Sequence, residues 1–492
     1  MGNFYTSIGL FIFLIAVVLI GYWSSKKVKT SNDFYLGGDQ LPGWGLALSE
    51  RCSDMSGWLL IGVPGIAWET GLSSIWIIIG AAGGAIFQWI VYSKPFMEGR
   101  KETGALTPVG LIAEKLPTNS MWVRLLPGIV TFVFYMGYIG SQFLAGGKVL
   151  NQTFGLDTTI GLLIVAIIII IYSFVGGFMS VVWTDVLQSL LMVFTLTVLP
   201  LILLGKVLAD PSLSIMASLE AAGPENASWL GGKSGAAAML LIGANLSWFF
   251  ANLGGYPHLD SRMMALNSEK DRKQGLVTAT VWSILTSFGA IMLGLLARTL
   301  HGAPAALVAD REMTLPFMVL EHTPAILGGI LLAGALAAMM STADSQLLVA
   351  SSAAAEDIYT KVFKKEKSID EKTLLKITRL ATIIIGGLGL IFAFTAQDMV
   401  YTLVSFSATG LFSAFGPAIT LTFFWGDKVS TKGIITAFLV GPLVTILWVT
   451  LGLNAVVTVR LIAPPLGFIS AIVASLIWPR QTEEEQKKEK MS

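Results

Sequence analysis

Apolar residues along this chain come in long runs, not in the alternation of a strand or the narrow stripe of a surface helix. The runs fall at 4–23, 44–66, 74–93, 124–149, 159–179, 186–205, 236–257, 275–299, 324–353, 376–395, 399–424, 433–453 and 461–478. About 20 consecutive apolar residues carry a helix across a bilayer. The pattern therefore predicts an all-α polytopic membrane protein with about 13 transmembrane helices. The run at 324–353 is long enough to tilt or to continue past the bilayer. The first run, Phe4 to Trp23, exceeds a signal-peptide core and is followed by Lys26, Lys27 and Lys29. It reads as a retained helix entering from outside.

Charge orients the set. With the N-terminus outside, thirteen spans put the segments near 24–43, 94–124, 258–273, 355–380 and 425–432 in the cytoplasm with the tail. These hold 25 Lys and Arg; Lys148, Lys206, Lys233, Arg298, Arg311 and Arg460 fall outside, and Arg51 lies inside a span. That bias follows the positive-inside rule, and one helix more or fewer would invert part of it. The C-terminus is expected in the cytoplasm of a multi-pass protein of the cell (inner) membrane, with Gln481 to Ser492 as a short charged tail.

Composition narrows the chemistry. Of 492 residues 54% are hydrophobic and 13% charged, and the mean hydropathy is +0.73. A net charge of +1 gives no field for nucleic acid. Cys52 is the sole cysteine and the three histidines are scattered, so neither a disulfide framework nor a clustered metal site is expected. No phosphate-binding glycine loop, nucleophile elbow or zinc motif is present. An enzyme is not expected, nor an obligatory protein partner; the partners are a small-molecule substrate and the lipid bilayer.

Two runs are interrupted. Span 2 reads Leu48-Ser-Glu-Arg-Cys-Ser-Asp-Met-Ser-Gly-Trp58 and then meets Gly62, Pro64 and Gly65; span 7 reads Asn245-Leu-Ser-Trp-Phe-Phe-Ala-Asn-Leu-Gly-Gly-Tyr-Pro257. Unwound backbone at membrane depth must be buried in protein or line a wet cavity. The breaks are five spans apart, so the two segments run in opposite directions. This is the arrangement of a five-plus-five inverted repeat with a substrate site where the broken helices meet. Packing glycines alone would explain the glycines, but not the serines, Asp54 and Asn252 beside them.

Polar groups in hydrocarbon mark function by default. They gather at Ser49, Glu50, Arg51, Ser53, Asp54 and Ser56; at Asp185, opening span 6; at Ser341, Thr342, Asp344, Ser345 and Gln346; and at Tyr138, Ser141 and Gln142. Ser341, Thr342 and Ser345 stand at helical spacings that let their hydroxyls converge. With carbonyls freed by a helix break they form a hard-oxygen site for a small alkali cation. The plainer readings are a serine bonded to its own preceding turn and Asp185 capping its helix beside Thr184.

Ser53-Asp-Met-Ser-Gly-Trp-Leu-Leu60, Gly176-Gly-Phe…Trp183-Thr-Asp-Val-Leu-Gln188 and Ala337-Ala-Met-Met-Ser-Thr342 resemble the solute:sodium symporter family, most of all its proline symporters. The resemblance runs from Asp33-Phe-Tyr-Leu-Gly-Gly38 to the last span and implies the thirteen-helix, LeuT-like inverted-repeat fold. It implies a sodium site from carbonyls of Cys52, Met55 and Ala338 with the hydroxyls of Ser341 and Thr342. Asp54 and Asp185 match acidic residues tied to sodium. Ser56, Gly57, Tyr138 and Pro257 match substrate positions; Trp58, Gln142, Trp248, Phe249 and Leu253 line the same region. The chain departs from the proline pattern at Phe249 and Leu253, and at Arg51 and Asp344.

The expected function is sodium-coupled import of a small polar solute, an amino acid and first of all proline; sodium ion is co-transported. Other solutes for the same site are a monocarboxylate, another amino acid or a sugar. A solute sensor would be expected to bring a signalling domain, and a channel a repeated filter sequence; neither is spelled here. Protons remain an alternative coupling ion through Asp54, Asp185 or Asp344. Arg51 is expected to pair with Asp344 or Asp185, taking the place of a second ion near Ser345, with a pair to Glu50 or snorkelling as the plainer options. The expected division is a peripheral helix at 1–30, a first repeat at 40–205, an inverted second repeat at 236–424, peripheral spans at 425–480 and the tail at 481–492.

Overall fold

The computed structural model describes residues 2–26, 28, 30–118, 120–364, 370–395 and 399–480. Lys27, Lys29, Lys365, Lys367 and the tail 481–492, all counted above as cytoplasmic, lie outside the described residues. Among the described residues every regular element is a helix. That is the outcome the solvent dictates, since only a helix or a closed barrel satisfies its own backbone in lipid.

Among the described residues eleven helices are long and apolar enough to cross a membrane. One of them, Gly43–Val91, is 49 residues long and carries both the second and third apolar runs, while the fifth run is the shorter helix Thr158–Phe174. Length and hydropathy thus give eleven where the sequence pattern gives thirteen.

Both predicted breaks are present. In helix Gly43–Gly57 the chain leaves helical geometry at Ser56 (φ 26°, ψ −169°), and the span resumes through the wider turns of Trp58–Gly62 into helix Val63–Thr70. A positive φ on a residue with a Cβ is strained. In span 7, helix Gly235–Leu246 tightens over Ser247–Asn252, turns at Gly254 (φ 72°) and resumes as Pro257–Met264 with proline in its first turn. A third break, at Gly177 (φ 59°, ψ −175°), splits helix Thr158–Ala209 close to the expected boundary between the runs at 159–179 and 186–205.

Helix Ala325–Ser352 is the centre of the molecule: every residue from 331 to 353 is buried. A helix that is apolar or paired all round belongs inside a bundle. It packs against helices Thr158–Ala209 and Gly43–Gly57, which brings spans 2, 6 and 9 together. Close approach is secured by small residues: a Cβ at Gly294 would stand 2.3 Å from the Pro64 carbonyl oxygen, so helix Glu269–His301 lies directly on the resumed half of span 2.

Candidate functional site

The break at Ser56 leaves the carbonyls preceding it facing helix Ala325–Ser352. Ser341 Oγ lies 3.2 Å from the Cys52 carbonyl and 3.1 Å from that of Ala338. Thr342 Oγ1 lies 2.9 Å from the Ser53 carbonyl and 3.0 Å from that of Ala338. Two hydroxyls and three carbonyls therefore converge in a fully buried spot with no imidazole or thiolate donor among them. Four of the five sequence-selected sodium ligands meet here, and the Ser53 carbonyl joins them. The fifth, the Met55 carbonyl, accepts the Trp58 N–H across the break.

Beside this oxygen cluster lies a buried charge network centred on Arg262. Asp185 accepts from Ser49 Oγ at 2.6 Å, Ser53 Oγ at 3.3 Å and Arg262 at 3.3 Å. Arg262 also donates to Ser49 at 3.1 Å, to the His258 carbonyl at 2.6 Å and to Ser345. Ser345 and Ser53 hydroxyls are 2.8 Å apart. Asp344 accepts from Tyr172 at 2.7 Å and from Ser345 at 3.3 Å. Asp185 does not cap its helix: it stands eight residues inside, past Gly177, while Thr184 bonds back to the Ser180 and Val181 carbonyls.

The expected pairing of Arg51 with Asp344 or Asp185 is wrong. Arg51 forks onto Glu50 and donates to Asp54 at 2.9 Å, all on its own helix, and Glu50 also accepts from Trp89 Nε1 at 2.9 Å. The plain Glu50 option holds, whereas snorkelling fails because the side chain is 0% exposed. The place assigned to Arg51 belongs to Arg262, which the sequence reading left in a cytoplasmic loop at the end of an apolar run.

The substrate residues divide. Gly57 N–H donates to Gln142 Oε1 at 3.0 Å, and Ser56 Oγ accepts from Trp58 N–H at 3.3 Å. Tyr138 lies 6.5 Å from Tyr256, ring to ring. Trp58 stacks on Trp248 at 5.1 Å with the planes 2° apart, so the two broken spans meet through their indoles. Trp248 Nε1 donates to Tyr401 at 3.0 Å, and the Arg460 guanidinium lies 4.6 Å over the Trp248 ring. Phe249 packs instead on Phe87, 5.1 Å away; the Leu253 carbonyl accepts from Thr420, and Pro257 opens the next helix. These three are not gathered with Trp58 and Tyr138.

Arg460, expected outside, is 6% exposed and bonds only neutral oxygens: Ser247, Ser405 and the Ala244 carbonyl. No carboxylate pairs with it among the described residues. Tyr401 is held by Glu312, whose carboxylate accepts the first N–H groups of helix Val400–Phe424 at 3.1 and 2.9 Å and pairs with Lys148 at 2.7 Å. A carboxylate at a helix N-terminus is favoured by the dipole. Arg262, Arg460, Tyr401 and Glu312 gave no motif signal: Arg262, Arg460 and Tyr401 sit near the ends of apolar runs, where a charged or amphipathic residue normally marks the membrane surface, and Glu312 lies in the segment between two runs.

Residues 34–441 match the sequence model of the sodium:solute symporter family. The chain is 31% identical over 486 residues to the osmoregulated proline transporter of Bacillus subtilis, spanning 98% of this chain and 95% of that one. It is 32% identical over 441 residues to the high-affinity proline transporter of the same organism, spanning 89% and 91%. The solved structure of a Na+-coupled sialic acid symporter, in a substrate-bound outward-open state, is similar with a TM-score of 0.80 at 19% identity, over 98% of this chain and 100% of that one. That likeness carries the inverted-repeat transporter fold. With a family match across most of its length, and relatives aligned nearly end to end, this chain belongs to the sodium:solute symporter family.

Proposed function

We propose that this protein imports a small carboxylate-bearing solute, an amino acid of the proline type, with one sodium ion. Membership of the family makes it a sodium-coupled symporter and not an enzyme, and sodium is the co-transported ion. The observation that carries the site assignment is the convergence of Ser341 and Thr342 hydroxyls on carbonyls at the break of span 2. Sodium there would tie span 9 to broken span 2 and favour the conformation that receives substrate, which is positive coupling between two ligands.

Solute would bind between Gln142, Tyr138 and the Trp58–Trp248 stack. Support for a carboxylate comes from Arg460, a buried cation over the Trp248 ring that has no acidic partner among the described residues. Support for proline comes from the two Bacillus subtilis relatives, which are proline transporters. The single-sodium stoichiometry rests on Arg262, whose guanidinium fills the space between Asp185 and Ser345 that a second ion would need. Thirteen spans with the N-terminus outside complete the proposal, in keeping with the distribution of basic residues.

Uptake of labelled proline into vesicles, with sodium or potassium outside, tests the reading. Sodium-stimulated, saturable uptake with a Hill coefficient near one is expected. A coefficient approaching two overturns the stoichiometry, and failure of proline and every other amino acid to enter overturns the substrate class.

A further inference from the structure

Asp260 takes no part in the sites above, yet it is fully buried on helix Pro257–Met264, the resumed half of span 7. Its one hydrogen bond is from Gln88 Nε2 to Oδ1, at 3.1 Å, across to helix Ile75–Val91. Gln88 is also fully buried. The second carboxylate oxygen, Oδ2, and the amide oxygen, Gln88 Oε1, are both buried without a partner. Two adjacent orphaned acceptors, on residues already joined by one bond, lack a donor between them. An unmatched buried acceptor is costly, and a bare buried charge far more so.

Among the described residues no cation pairs with Asp260 to compensate a charge. Glu50, which acts on it from helix Gly43–Gly57, is held by Arg51 and Trp89, and with Asp54 that group carries net negative charge. Arg262 on the same helix as Asp260 turns to Asp185, and Asp344 is taken by Tyr172. His258 is bonded to Tyr135, and Tyr92 to Thr420. On the neighbouring helices Lys94 pairs with Glu98 and Lys115 with Glu102.

We infer that Asp260 and Gln88 form a proton-binding site, in which Asp260 is a neutral carboxylic acid whose Oδ2–H donates to Gln88 Oε1 while Oδ1 accepts from Nε2. One proton then satisfies both orphaned atoms and closes an acid–amide ring. Sodium fits less well: two free oxygens fall short of its usual shell, and among the described residues no group of three or more His, Cys, Asp or Glu could hold a metal ion. The ring clasps the resumed half of span 7 to helix Ile75–Val91.

Infrared difference spectra of the purified full-length protein, wild type minus Asp260→Asn, test this independently of which solute or ion is carried. A protonated-carboxyl stretching band should be lost in the variant. It should keep its amplitude from mildly acid to mildly alkaline buffer, and when potassium replaces sodium. Asparagine completes the same ring, so Asp260→Asn should also keep the wild-type unfolding midpoint, whereas Gln88→Leu should shift the band to the position of an unbonded acid. Absence of the band means a carboxylate, bridged by water or otherwise, and overturns the inference. A band seen only without sodium makes sodium the ligand and overturns it too, as does failure of Asp260→Asn to fold.

Discussion

The two buried arginines beside broken span 2 solve the same problem differently. Arg51 finds both its carboxylates within three residues, on its own helix. Arg262 reaches across three helices, to Ser49 on span 2, Asp185 on span 6 and Ser345 on span 9. A local ion group moves with its helix as one body. A group shared between helices holds only while those helices keep their spacing, so the Arg262 network is the one that conformational change must rearrange.

Removing Arg262 should therefore do most damage. Arg262→Leu leaves Asp185 as a bare buried charge and should lower stability by about 3–5 kcal/mol. Uptake should fall to background, and adding Asp185→Asn should recover a good part of the stability in thermal unfolding. Equal losses in the single and double variants would mean that Asp185 is not what Arg262 serves.

Arg51→Gln should cost less, about 2 kcal/mol, because glutamine still donates to one carboxylate. The half-saturating sodium concentration should stay within about twofold of wild type, since the guanidinium turns to Glu50 and Asp54 and supplies no ligand to the cation site. A large change in sodium dependence would erase the distinction between the two arginines.

Between these clusters, Thr342→Ala and Ser341→Ala each remove one oxygen from the proposed sodium shell. Losing about 1.4 kcal/mol of binding raises the half-saturating sodium concentration about tenfold. Sodium titration of uptake reads this directly; two unaltered curves would place the ion elsewhere.

Sensitivity to substrate should separate the neighbours Trp248 and Phe249. Trp248→Ala loses the stack with Trp58 and the contact with Arg460, about 2 kcal/mol together, or roughly 30-fold in apparent affinity. Phe249→Ala loses its packing on Phe87, about 1 kcal/mol of stability, with little change in the substrate curve. The reverse order would put Phe249 back in the site.

Much of this was legible in the sequence, for a physical reason. Run length and the need to satisfy backbone in lipid dictate spanning helices, and Ser56-Gly57 and Gly254-Gly255 announce where two of them break. The hydroxyls of Ser341 and Thr342 were legible because hydroxyls inside an apolar run are conspicuous and because the family resemblance implies a sodium site there. The partners of Arg262 and Arg460 were not. An arginine near the end of an apolar run looks the same whether it meets water or a pocket in the next helix, and only the packing of separate spans decides.

The Trp58–Trp248 pair also has an optical consequence. Two parallel indoles 5.1 Å apart, one from each broken span, are close enough for their excited states to interact. Their coupling should produce a paired signal in near-ultraviolet circular dichroism and a fluorescence distinct from that of isolated tryptophan. Both would change as the spans separate, so the protein carries its own chromophore at the junction of its two halves and its opening can be followed without an attached dye.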